Sequence, residues 1–268
     1  MLLLLSYFHA ICGHANNIYF LLLAVPEPVA FYPLNARYKA AEKDNRQPKG
    51  ILGDVAITNG PYNEPGGAYM FYGTVRSYIE FPNKGGLDTR LSITLMCWVR
   101  PGGQDGPLFS YGKDGPGVQI RIAQDRFNLI LSDLPVTGLL SAEVLPTEVW
   151  VHVAATYNYH TGNISLFING HLSVSSHIRI SYTIATNPEK VRMGIRVNEN
   201  RFFKGKIAEM KVYDVALNET QIQSSIRQGS CTFPIIVVSL PSPMIPLIME
   251  TSFIEQSRRS LLESRFVK

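Results

Sequence analysis

From Leu91 to Val99 the chain alternates without a break. Leu91, Ile93, Leu95, Cys97 and Val99 share one side, and Ser92, Thr94, Met96 and Trp98 share the other. A repeat of two is the mark of an extended strand with two distinct faces; a helix would repeat near 3.6. Similar short extended runs recur at residues 29–34, 69–72, 77–81, 107–111, 118–123, 126–132, 149–157, 163–169, 191–197 and 206–212. Turn chemistry separates them. Pro65-Gly66-Gly67 makes a bend, and Asn169-Gly170 is a strong hairpin signal, because both residues tolerate the positive φ of a type I′ turn. One helix signal stands apart from the strands. Asn218 can cap it, Gln221 completes a capping box, Ile222 and Ile226 fall on one face, and Gly229 stops it. Many short strands with one terminal helix predict an antiparallel sandwich or barrel. Long connections such as residues 35–50 do not suit an up-and-down barrel, so two packed sheets of about six strands each are expected.

The strand-rich part covers residues 28–229 of 268. Its flanks differ in character. Residues 1–26 carry no Lys, Arg, Asp or Glu, and the apolar run around Leu2, Leu3, Leu4 and Leu5 reads as a secretory signal. The usual basic residues near the start are missing, which leaves a non-native leader as the other reading. In residues 230–268, Pro234, Pro241, Pro243 and Pro246 defeat a regular helix or central strand, and the chain turns polar from Ser252. That segment reads as a solvated tail outside the domain. No run of about 18 apolar residues offers a membrane span. A net charge of +4 is too small and too scattered to argue for nucleic acid.

Four segments in order resemble the laminin-G-like jelly-roll family, within the concanavalin A-like lectin/glucanase superfamily. They are residues 73–81 (GTVRSYIEF), 92–101 (SITLMCWVRP), 150–157 (WVHVAATY) followed by 166–170 (LFING), and 203–217 (FKGKIAEMKVYDVAL). The resemblance implies an all-β fold: an antiparallel two-sheet jelly-roll β-sandwich with one short C-terminal helix. It also implies a possible calcium site. Several relatives carry an Asp where this chain has Ala208, which removes one ligand; Asp44, Asn45 and Glu209 are the remaining weak candidates. Pentraxin-like relatives pair a cysteine at the Cys97 position with one at the position of Ala154, so Cys97 reads as a free thiol unless Cys231 folds back to it.

Glucanases of this superfamily carry carboxylates two and four residues apart on one strand, so that an acid and a nucleophile flank one glycosidic bond. No such strand occurs here. Glu42 and Asp44 fall in a polar loop that reads as solvated surface, and Glu209 and Asp214 lie five apart. His9 and His14 belong to the leader, His160 and His171 lie beside turns, and His177 stands alone. His152 reads as structural, and no histidines show zinc-ligand spacing. Trp98 and Trp150 read as core packing. In the strand containing Met210 and Val212, the alternating Glu209, Lys211 and Tyr213 read as a half-exposed face. Lys190, Arg192, Arg196, Arg201, Lys204, Lys206 and Lys211 suggest a basic patch or a solvated face. Asn163 and Asn218 begin N-glycosylation triplets.

The expected function is therefore non-catalytic extracellular recognition, with no catalytic residue. The expected partner is a glycan; a protein–protein adhesion or matrix module is the alternative, and a glycan hydrolase a more distant one. Loops 35–50, 101–107, 112–117, 133–146 and 157–163 are the expected display surface.

Overall fold

The computed structural model describes residues 25–112, 117–131, 138–178, 182–186, 190–196 and 200–229. Residues 1–24, most of the expected leader at 1–26, and the expected tail at 230–268 with Cys231 lie outside the described residues. In chain order the strands are β1 (Ala30–Tyr32), β2 (Ile51–Leu52), β3 (Val55–Thr58), β4 (Ala68–Tyr72), β5 (Ile79–Phe81), β6 (Ile93–Gln104), β7 (Gly106–Ser110) and β8 (Val118–Ala123). There follow β9 (Arg126–Leu131), β10 (Gly138–Val144), β11 (Val151–Tyr157), β12 (Asn163–Ile168), β13 (His171–His177), β14 (Val191–Met193) and β15 (Lys204–Tyr213), then the helix α1 (Glu219–Gly229).

These strands form two antiparallel sheets. One runs β13-β12-β11-β6-β15-β4-β3, with β1 also pairing β15; the other runs β10-β9-β8-β7-β14-β5-β2. The layout is the jelly-roll sandwich that the sequence predicts, with eight and seven strands rather than six each. Alternation supplies the core. Ile93, Leu95, Cys97 and Val99 of β6 are fully buried and pack in one cluster with Phe109, Ile120, Phe127 and Phe81 of the opposite sheet. Burying each such side chain is worth about 1.5–3 kcal/mol. Tyr32 and Phe81 close that cluster with ring centroids 4.2 Å apart.

A second apolar layer lies outside the eight-stranded sheet. Met96, Ala154, Phe167 and Tyr213 face outward and are covered by Leu217, two residues before α1, and by Ile222 within it. The capping box forms as spelled: Asn218 Oδ1 accepts from the Gln221 N–H at 2.9 Å, and Gln221 Oε1 accepts from the Asn218 N–H at 3.0 Å. Thr94 Oγ1 ties the preceding turn down, donating to the Val215 carbonyl at 2.6 Å and accepting from the Leu217 N–H at 2.9 Å. The helix also corrects the expected half-exposed strand. Lys211 and Tyr213 are 6% and 2% exposed, because Lys211 Nζ donates to the Ser225 carbonyl and Tyr213 bonds the Ser225 hydroxyl beneath α1.

The expected display loops need correction too. Residues 101–104 continue β6 and 138–144 form β10, so neither stretch is a free loop. Loop 35–50 is built around Glu42, which is 1% exposed rather than solvated. Its carboxylate accepts from the backbone N–H groups of Phe31, Asp44 and Arg46. A carboxylate satisfied by three N–H donors can be buried without its full desolvation cost. The Asn169-Gly170 turn joins β12 to β13 with φ of 51° and 82°, as the hairpin signal predicts.

Candidate functional site

The seven-stranded sheet has a polar outer face, and strand alternation dictates its membership. In β5, Ile79 and Phe81 enter the core, so Glu80 points out. In β14, Val191 and Met193 enter, so Arg192 points out; in β8, Val118 and Ile120 leave Gln119 outside. The register then aligns these residues across the sheet: Glu80 opposite Arg192, Arg192 opposite Ser110, Ser110 opposite Gln119, and Gln119 opposite Ile130. Arg121 and Asn128 stand opposite each other in the next row. Five neighbouring strands thus build one transverse band that is polar from Glu80 to Gln119.

The side chains of this band are bonded to one another. Arg192 donates through Nε and Nη2 to Glu80 Oε2 at 2.8 and 2.6 Å, and Lys190 Nζ reaches Glu80 Oε1 at 2.8 Å. The Arg192 guanidinium also lies 5.1 Å from the Tyr78 ring centroid. Burial pushes the Glu80 carboxyl up, but the hydrogen bonds and charges of Lys190 and Arg192 outweigh it and hold the group below its ordinary value. Gln119 Nε2 donates to Ser110 Oγ at 3.2 Å. Gln119 Oε1 is buried and has no partner among the described residues. An acceptor left in that state costs about 1–3 kcal/mol, which a donor hydroxyl brought by a ligand would recover. Among the described residues the band holds one carboxylate, Glu80, and Lys190 and Arg192 pair with it.

The sequence-predicted residues fall elsewhere. Asp44 pairs with Arg46 at 3.0 Å on an exposed turn, where Asn45 takes a φ of 58°. Glu209 sits at the β15 bulge with a φ of 53° and a backbone N–H donated to the Pro33 carbonyl at 3.2 Å. Burial pushes its carboxyl up, Lys211 lowers it and Glu64 raises it further. Among the described residues no three His, Cys, Asp or Glu side chains converge on one point. Ala208 is fully buried opposite Trp98.

Cys97 is buried and free, and burial pushes its thiol up to about 12. Trp98 and Trp150 are half-buried and stand outside the core clusters, a correction to the core assignment: Trp98 faces outward from the eight-stranded sheet, away from Cys97. His152 is 3% exposed. The basic residues do not make one patch. Lys190 and Arg192 serve the seven-stranded sheet, Lys204, Lys206 and Lys211 belong to the other, and Lys211 is buried. Asn163 and Asn218 are both exposed. The band itself was missed because its cohesion lies in strand register. Its local trace is a polar residue wedged between apolar ones, as in Ile79-Glu80-Phe81 and Val118-Gln119-Ile120.

A family model described as the concanavalin A-like lectin/glucanases superfamily matches residues 73–223. The chain belongs to this superfamily. Within it, the matched segment runs from the turn before β5 into α1 and contains the whole polar band. Serum amyloid P-component of Cavia porcellus is 23% identical over 126 residues, 44% of this chain and 55% of that protein. The chain therefore spans about half the length of that curated relative. The binding domain of botulinum neurotoxin serotype G superposes with a TM-score of 0.61 at 16% identity, covering 76% of this chain and 51% of the other. Domain 4 of an extracellular arabinanase from Geobacillus stearothermophilus, solved with arabinotriose, gives 0.58 at 20% identity, covering 74% and 97%. The ligand binding domain of botulinum neurotoxin serotype D, solved with N-acetylneuraminic acid, gives 0.60 at 16%, covering 75% and 50%. At these identities the likeness to the solved structures is one of fold.

Proposed function

We propose that this superfamily member is a non-catalytic glycan-recognition module that works outside the cell and takes its ligand across the polar band of the seven-stranded sheet. The observation that carries the reading is the transverse row Glu80, Arg192, Ser110 and Gln119, ending in a buried acceptor without a donor among the described residues. Sugar hydroxyls donate and accept at short spacing, which suits such a row; Ser110 and Gln119 are 1% exposed, so side chains over them must move aside for a hydroxyl to reach them, while the Glu80–Arg192 pair stays fixed. Two structural neighbours are solved with saccharides, arabinotriose and N-acetylneuraminic acid, which supports the ligand class. The leader suits export, and Asn163 and Asn218 are accessible for glycosylation in that setting. Fold alone does not establish function, so the ligand must be tested directly.

The test is a glycan array with the full chain beside its Gln119→Leu and Arg192→Ala variants, with folding checked by circular dichroism. Saturable binding that both folded variants lose supports the reading. A silent array, with capture of a protein partner that both variants keep, returns the adhesion alternative.

A further inference from the structure

The outer face of the eight-stranded sheet carries a second unexplained polar site. Helix α1 covers Met96 and Ala154, but Trp98 and His152, one alternation further along β6 and β11 and directly opposite each other, lie outside that apolar cluster. Their rings meet edge to face, with centroids 5.3 Å apart at 81°. Trp98 Nε1 and His152 Nδ1 are both buried, and neither has a hydrogen-bond partner among the described residues. Tyr62, from the loop before β4, meets Trp98 edge to face at 5.7 Å and is itself 48% exposed. Glu64, two residues on, accepts from the Tyr62 backbone N–H at 2.8 Å and so holds this turn.

We propose that Trp98, His152 and Tyr62 form a second saccharide subsite, which takes one pyranose unit on the face opposite the polar band. The two orphan atoms call for partners that both accept and donate, as hydroxyls do. Trp98 Nε1–H can only donate, and a neutral imidazole can present Nδ1 as an acceptor. A sugar's hydroxyls can supply both, one accepting from the indole and one donating to the imidazole. His152 is held neutral by burial, with Lys211 adding to the effect, and titrates only near about 3. The partly exposed rings of Trp98 and Tyr62 offer apolar faces for the sugar's C–H face. Because both orphan atoms are shut from solvent, Tyr62 must shift for the ligand to enter. This inference extends the glycan reading to another face and does not need the polar band to bind.

The test is a titration of the full ¹⁵N-labelled chain with methyl glycosides of glucose, galactose, mannose and N-acetylglucosamine, read on the two indole N–H signals. Trp98→Phe assigns the Trp98 signal, and Gln119→Leu removes the band. The expected result is a saturable shift of the Trp98 indole with at least one glycoside, at a Kd of about 1 mM or tighter. It should persist in Gln119→Leu and weaken at least tenfold in the surface variant Tyr62→Ala. No shift with any glycoside overturns the subsite, as does a shift that Gln119→Leu abolishes. A water contact to the indole N–H without any glycoside response also overturns it, since an ordered water then fills the gap.

Discussion

Replacing Glu80 by Gln isolates the electrostatics of the polar band while nearly preserving its shape. The Glu80 side chain is 6% exposed, and that of Arg192 is 22% exposed, so the pair is largely desolvated; Lys190, at 65%, contributes little. Removing one partner of a fully buried pair costs about 3–5 kcal/mol. Arg192 keeps some water and the Tyr78 ring, and the amide oxygen can still accept one bond, so about 2–3 kcal/mol is expected near neutrality. For a domain of this size that is a fall in Tm of roughly 5–10 °C. The pH dependence follows from the direction of the shift. The folded carboxyl lies below its ordinary 4.5, so its contribution is complete above that value and is lost as pH falls through the folded value. Urea denaturation of both proteins at a series of pH values should show a gap that is widest near neutrality and closes in acid. A gap below about 0.5 kcal/mol near neutrality, the level of an ordinary surface change, or one that stays constant into acid, would refute the argument.

Other outcomes follow from single contacts. Asn218→Ala should lower stability by about 1 kcal/mol, read by thermal denaturation, because it removes the cap on α1. Thr94→Val should cost about 1–3 kcal/mol in urea denaturation, since the Leu217 N–H and Val215 carbonyl both lose their buried partner. Cys97 should resist alkylation in the native chain and react once denatured, as peptide mass spectrometry would show, because burial keeps its thiol protonated up to about 12. The His152 ring signals should show no inflection near the ordinary 6.5, because its folded value is lowered to about 3. The unfolded chain takes up that proton first, so His152 makes stability fall as pH drops from 6.5 towards 3.

The fold was legible because its signals are local. The alternation in β6, the Asn169-Gly170 turn and the capping box at Asn218 each depend on neighbours within a few residues, and each forms as spelled. What depends on distant partners was not legible. Glu42 looks like a solvated loop acid until the chain wraps three backbone N–H groups around it. Lys211 looks like a surface lysine until α1 folds over it. Trp98 is the informative case: alternation correctly set it against Cys97, but which of the two faces the core depends on where the second sheet lies. The polar band was hidden for the same reason, since Glu80 and Arg192 lie 112 positions apart and meet only through the β5–β14 register.

The central claim is that the outer face of the seven-stranded sheet is a saccharide floor. It is tested most directly by mapping backbone and side-chain amide shifts of the full chain during titration with arabinotriose and N-acetylneuraminic acid oligosaccharides. The account predicts saturable shifts centred on the Gln119 side-chain amide, Ser110, Asn128 and Arg192. Saturable shifts confined to the turn around Asp44 and the Glu209 bulge, or no saturable response to any saccharide, would contradict it.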